Sequence, residues 1–330
     1  MKGRNNMLQK NIAKTDLVNK MISYGFYFVF VLVIIVYSIM APNFFKLQNF
    51  ITILMHSIPL ILIGSGLTFV IITGSLDISV GSVAFLSSAI GIVLSTQYHI
   101  GTFLTVCVIL AVATICGIIN GFLVVKAGIN PLIITLGMMI SLRGLALLVT
   151  RGNQWEVSES IKHFGTLSLG PVYLEVIVGL LILILVQLIL SRHIFGKQVI
   201  AIGCHEHSAL AVGIPTGRVK ILVFVLSSFF AGIAGIFMIS QTGSVQMHMG
   251  EGMEFTAIAA VIIGGTSLFG GTGSIIPGTM FGAIMLTLIE NGLVYVNASP
   301  YVYPFVRGLI IFVAMYVDSF HSKKQQGSIG

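Results

Sequence analysis

The sequence predicts an all-α fold: a polytopic integral membrane bundle of about ten transmembrane helices, several of them broken or re-entrant. Three observations carry that expectation. Of 330 residues, 56% are hydrophobic and only 8% are charged, whereas soluble domains hold roughly a quarter charged residues. Lipid is therefore the solvent for most of the chain. The apolar runs are far longer than the ~10-residue alternating segments of a transmembrane barrel. The 37 glycines suit interrupted membrane helices that pack closely.

A span needs ~20 apolar residues. Ten runs qualify, at about 21–41, 50–72, 79–96, 102–125, 131–150, 171–190, 220–240, 254–269, 274–292 and 302–318. Residues 1–20 form a basic tail with five Lys/Arg, 21–320 a single membrane domain and 321–330 a second tail. A cleaved signal peptide would have a shorter apolar core, ~7–15 residues, so 21–41 reads as an uncleaved first span. An even number of spans puts both termini on one side. With that side cytoplasmic, inner segments hold twelve Lys/Arg and outer segments three, Lys46, Arg151 and Lys162, as the positive-inside rule requires. The outer loops carry Glu156, Glu159, Glu251 and Glu254. The longest inner loop runs from Ser191 to Lys220 and the longest outer one from Arg151 to Gly170.

Within this apolar chain "ITGSLDISVGS", Ile72 to Ser82, is an anomaly, because it holds a carboxylate, Asp77. A charge at the bilayer centre costs roughly 2.5–3.5 kcal/mol on insertion scales, and Asp77 falls near the inner end of a span, where the cost is smaller. Gly74 and Gly81 let the chain leave helical geometry. Asp77 and Ser79 are then placed to cap the following helix. A break lining a translocation route or gate is the functional reading, and the two are compatible. A second cluster, "GGTSLFGGTGS", holds Gly264, Gly265, Thr266, Gly270 and Gly271. No charge occurs from Phe255 to Ile289, 35 residues, which as one helix would measure about 52 Å against a core of ~30 Å. The chain must break there, and backbone exposed at that depth must face protein or a water-filled cavity. "VIITGSLDISVGS" (70–82) also echoes "VIIGGTSLFGGTGS" (261–274). This is either an internal repeat of the kind that builds transporters or a coincidence of glycine-rich apolar segments.

Arg143 and Arg307 are the other buried-looking charges, placed to reach headgroups or broken-helix carbonyls, or to meet a substrate or partner. Glu290 and Asn291 read as interfacial, and Asn120 and Asn130 as helix-end caps around Lys126. His193, Cys204, His205, Glu206 and His207 crowd the inner loop, but their spacing does not suit a tetrahedral metal site. The stretch His205 to Val212 reads instead as an amphipathic helix along the inner face. Cys107, Cys116 and Cys204 show no metal or disulfide pattern. Without a G-x-x-x-x-G-K-[ST] loop or a catalytic constellation, no metal, cofactor or enzymatic activity is expected. The net charge of +7 follows from topology, so no nucleic-acid partner is inferred.

Four motifs resemble the permease subunit of ribose-type bacterial ABC importers: "GLTFVIITGSLDISVGS", "INPLIITLGMMISLRGLAL", "FGKQVIAIGCHEHSALAVGI" and "EFTAIAAVIIGGTSLFGGTGSIIPGTMFGA". The resemblance covers about Phe26 to Val317. It implies a plasma-membrane importer for a sugar or similar small polar solute, made of two permease copies or a sister pair. Separate ABC ATPase subunits and an extracytoplasmic solute-binding protein would complete it. It further implies that the third motif is the ATPase-coupling element, a role that falls on Gly196, Ala201, Gly203, Glu206, Ala209, Gly213 and Ile214. The chain departs from the family pattern at Ser75, Cys204 and His205. The rival expectation is an ion-coupled secondary transporter with Asp77 as its ion site.

Overall fold

A computed structural model describes residues 30–41, 44–299 and 301–326, with side chains in the last helix to residue 313 and at 315 and 316. The basic N-terminal tail, the start of the first expected span and the last four residues lie outside the described residues. The described residues are mainly helical. In order come α1 (Phe30–Met40), α2 (Leu47–Ile72), α3 (Val80–Tyr98), α4 (Thr102–Lys126), α5 (Pro131–Thr150), α6 (Glu159–Thr166) and α7 (Leu174–Arg192). They are followed by α8 (Ile194–Cys204), α9 (Glu206–Ala211), α10 (Thr216–Thr242), α11 (Met253–Ile263), α12 (Met280–Tyr295, preceded by a π turn at Ile275–Thr279) and α13 (Val302–Gln326). Four two-residue strands, β1 (Trp155–Glu156), β2 (Ser168–Leu169), β3 (Val172–Tyr173) and β4 (Ser244–Val245), form two antiparallel pairs, β1 with β4 and β2 with β3.

Among the described residues, seven helices are long and apolar enough to cross a membrane: α2, α3, α4, α5, α7, α10 and the run Ile275–Tyr295. The expected span at 254–269 is corrected. It is α11, only 11 residues long, or about 16 Å at ~1.5 Å per residue, half a bilayer. Gly264 and Gly265 stop it early.

Burial follows the apolar patterning. From Ser57 to Ile72, α2 is buried on every side, as a helix apolar all round must be. It packs against α7, α8, α10, α11 and α12. By contrast, α4, α5 and α7 bury one stripe and leave residues such as Phe103, Ile118, Ile133, Ile140 and Leu185 uncovered, the burial expected of helices facing lipid. A close seam lies between α4 and α10. A methyl on Gly117 would sit 2.8 Å from the Phe224 carbonyl oxygen and the Val225 Cα, and one on Gly121 would sit 2.9 Å from the Ile221 Cα. Small residues one turn apart allow that backbone approach. Asn120 lies on this seam, fully buried within α4, so the expected helix-end cap is corrected. Asn130 does cap α5, accepting the Leu132 amide at 2.9 Å. A smaller cluster of Ala41, Phe44, Ile53 and Leu288 joins the turn after α1 to α2 and α12.

The two ends of the bundle differ. At one, the β end, Thr102 Oγ1 lies 3.4 Å from Ser158 Oγ, the Val157 amide donates to Gly243 at 3.1 Å, and β1 pairs with β4. At the other, the α8 end, α8 lies across the termini of α2 and α7, and α9 packs on α8 and α10.

Candidate functional site

Helices α2 and α11 end in the same way. At the close of α2, Gly74 (φ +74°) donates to Ile71 O at 2.9 Å and Ser75 to Val70 O at 3.2 Å. At the close of α11, Gly265 (φ +90°) donates to Ile262 O at 2.8 Å and Thr266 to Val261 O at 3.1 Å. Both are Schellman ends with glycine in the left-handed region, where a side chain would be strained. Residues 70–75 and 261–266 thus share one hydrogen-bond pattern, as their sequence echo predicts. The echo then fails. Ser79 precedes α3 five residues after Gly74, whereas Ser274 precedes the π turn nine residues after Gly265. The second break is longer by four residues, and these carry Gly270 and Gly271.

The first break is knotted around Asp77, which is fully buried. Asp77 Oδ1 accepts the Ser79 amide at 3.0 Å and the Ser79 hydroxyl at 2.6 Å. Oδ2 accepts Ser227 Oγ of α10 at 3.0 Å, and Asn120 Nδ2 donates to Ser79 Oγ at 2.8 Å. The carboxylate therefore holds the start of α3, as expected. Ser79 does not cap with its own hydroxyl, which is turned onto Asp77. All of the carboxylate's partners are hydroxyl or amide groups. Gly81 is one turn further on, backbone to backbone with Gly250.

The second break is satisfied by a residue the sequence reading missed. Gln187 Oε1 of α7 accepts the amides of Ile275 at 3.1 Å and Ile276 at 3.0 Å, Ser274 Oγ accepts Gly278 N at 3.3 Å, and Thr68 Oγ1 lies 2.8 Å from Thr279 Oγ1. Glu175 was missed as well. It is buried in the first turn of α7, where Ser240 Oγ and Gln241 Nε2 both donate to it. A lone polar residue inside "LILVQLILS" was the available signal for Gln187. Glu175 offered a similar signal, a carboxylate four residues inside the expected span 171–190.

Three distant segments meet at the α8 end. The Gly271 amide donates to Ile72 O at 2.9 Å. Gly203, in the last turn of α8, lies against both groups, so that a Cβ there would overlap the Ile72 carbonyl and the Gly271 nitrogen. A methyl on Gly270 would sit 2.8 Å from Ile72 O and 3.0 Å from Gly203 O. Of the expected coupling residues, Gly196, Gly203 and Ala209 thus face inward, Gly196 against the last turn of α7. Ala201 and Ile214 are half-buried, while Glu206 and Gly213 face outward. Glu206 Oε2 pairs with Lys220 Nζ at 2.6 Å. Helix α9 forms as expected, with His205 Nδ1 accepting the Ser208 amide at 3.2 Å. Leu210 (58% exposed) and Val212 (78%) leave an apolar knob beyond it.

Arg143 reaches carbonyls of the loop before α11 and not those of a broken helix, donating to Met247 O at 3.4 Å and Met249 O at 3.3 Å with its guanidinium 5.4 Å from the Phe85 ring centre. Arg307 does not bond carbonyls; it pairs with Glu290 at 2.8 Å, so neither is a free interfacial charge. Glu254 is not in an outer loop but buried in the first turn of α11.

An apolar helical bundle with two glycine-broken spans, a buried polar knot and a knob-bearing helical pair at one end defines a membrane transport permease. Residues 49–315 match the family described as branched-chain amino acid transport system / permease component, and the chain belongs to that family. It is 36% identical to the ribose import permease protein of Bacillus subtilis, over 88% of this chain and 90% of that one. It is 33% identical to the ribose import permease protein of Escherichia coli K12 (88% and 91%) and 31% identical to that strain's D-allose transport system permease protein (91% and 92%). No solved structure matches the chain. The protein is the multi-pass permease component of an ABC-type importer, and nothing supports the ion-coupled alternative.

Proposed function

We propose that the chain imports a sugar or similar small polar solute, handed over by an extracytoplasmic binding protein and driven by separate ABC ATPase subunits. The relatives named for ribose and D-allose support the solute class. The excess of Lys and Arg in the inner segments supports cytoplasmic termini in a bacterial plasma membrane and assigns the α8 end to the cytoplasm. The ATPase then seats on the element from Ser191 to Lys220, with Glu206, Leu210, Val212 and Gly213 as its outward face. A second permease copy or a sister permease completes the pore.

The contact of Gly203 with Ile72 and Gly271 carries this reading. A push on α8 and α9 meets the ends of both broken segments without an intervening side chain. ATPase closure would shift the bundle between two packings, and the breaks at Gly74–Gly81 and Gly264–Gly271 act as its gates. The permease itself performs no chemistry. Reconstitution in proteoliposomes tests the proposal. D-ribose or D-allose should accumulate only when ATP, the ATPase and the binding protein are all present. Uphill uptake by the permease alone would overturn it.

A further inference from the structure

Between β4 and α11 the chain does not stay at the β end. Gly250 (φ +71°) packs backbone to backbone on Gly81, and a methyl on it would sit 2.6 Å from the Gly81 carbonyl oxygen. Gly81 is the second residue of α3, and Tyr98, the last, lies beside the β end. Seventeen residues at ~1.5 Å each put Gly250 about 25 Å below Tyr98. Arg143, which holds Met247 and Met249 from the side, is itself about 10 Å below the end of α5 by the same rise. Residues 246–252 therefore plunge into the bundle, and the short α11 begins where they stop.

That descent brings charges to a depth where lipid does not tolerate them. His248 and Glu251 pair at 2.7 Å, and their side chains are 84% and 60% exposed. An ionised group at such a depth faces the bundle interior or water, because hydrocarbon costs it several kcal/mol. A second polar group lies at the same level. Glu254 is 5% exposed, its Oε2 has no hydrogen-bond partner, and it abuts Gly81.

We propose that His248 and Glu251 of the plunging segment, with Arg143 beside them, form the wall that a passing polyhydroxylated solute touches partway across the membrane. Carboxylate oxygens accept sugar hydroxyls, while the imidazole and guanidinium donate to them. These groups are additional to the glycine gates, and the assignment rests on the sugar-permease reading above.

The test uses the full importer with Cys107, Cys116 and Cys204 replaced by serine, and with His248→Cys or Glu251→Cys added singly. A charged, membrane-impermeant methanethiosulfonate should label both positions, whereas Ile118→Cys, on the uncovered side of α4 and about 24 Å below Thr102, should react only with a lipid-soluble maleimide. In addition, Glu251→Gln should change the ratio of D-ribose to 2-deoxyribose uptake about tenfold with the binding protein unchanged, the scale of one hydrogen bond to a charged group. A purely structural role would lower both rates alike. Cysteines inert to the aqueous reagent, a 251–251 cross-link between copies that shows a covered surface, or an unchanged ratio would overturn the proposal. The parent importer is assayed first. If it moves no sugar, the broader reading fails; if it does and the cysteines stay inert, only this wall is wrong.

Discussion

Gly271 donates its amide to the carbonyl of Ile72 across 2.9 Å, joining the end of α2 to a loop almost two hundred residues later. Gly203 closes the joint from the third side with its bare α-carbon. All the groups in contact are backbone, which cannot rotate out of the way as a side chain can.

Gly203→Ala should therefore reduce ATP-driven uptake at least about tenfold while the protein still inserts, because main-chain overlap is relieved only by moving α8 off the joint. Gly137→Ala is the control, since a methyl at Gly137 meets nothing within 4 Å. Uptake by both variants, normalised to membrane-inserted protein, decides the matter. Equal activity would remove Gly203 from coupling.

Asp77→Asn keeps the shape of the knot but replaces one acceptor oxygen by a donor. Ser227 can reverse its hydroxyl to accept, so the loss should be about 1–2 kcal/mol. Asp77→Leu leaves the Ser79 amide and the Ser79 and Ser227 hydroxyls without their acceptor and should cost more. Thermal unfolding in detergent ranks the variants, and uptake by Asp77→Asn should show no new ion dependence.

Gln187→Leu should destabilise the bundle by about 1–3 kcal/mol, because two backbone amides beside the π turn lose their shared acceptor. Gln187→Glu retains an acceptor there and should cost less. The order of the two melting temperatures is the readout, and a reversed order would mean that the two amide bonds are worth less than the cost of burying a carboxylate there.

Glu206→Gln should leave stability within about 1 kcal/mol of the parent, as expected for a partly exposed ion pair with Lys220. ATP-dependent uptake should nevertheless fall, because Glu206 faces the proposed ATPase seat. Unfolding midpoint and uptake measured on one preparation separate the two effects. Unchanged uptake would place the seat elsewhere on α8 and α9.

The spans were legible because apolar length is a direct readout of bilayer thickness, and α2, α4, α5 and α10 begin and end within a few residues of their expected bounds. Both breaks were legible from glycine and hydroxyl residues where a helix outruns the membrane. The depth of individual residues was not. Glu254 reads as part of an outer loop because the sequence does not reveal that residues 246–252 descend before α11 begins. Asn120 reads as a helix end because a polar residue near Lys126 fits a cap as well as it fits a buried donor. Its partner, Ser79, is forty-one positions away. The inward orientation of Gly203 was equally hidden, since a motif marks which residues belong together and not which way each faces.

The ladder of Gly117 and Gly121 along α10 has a consequence for mutational tolerance. Any bulkier residue on those rungs pushes α10 outward, at Ile221 from Gly121 and from Phe224 to Ser228 from Gly117, and Ser227 is carried away from Asp77. Substitutions at 117, 121, 227 and 77 should thus compound one another, so that a permissive change at one position alters what the other three will accept.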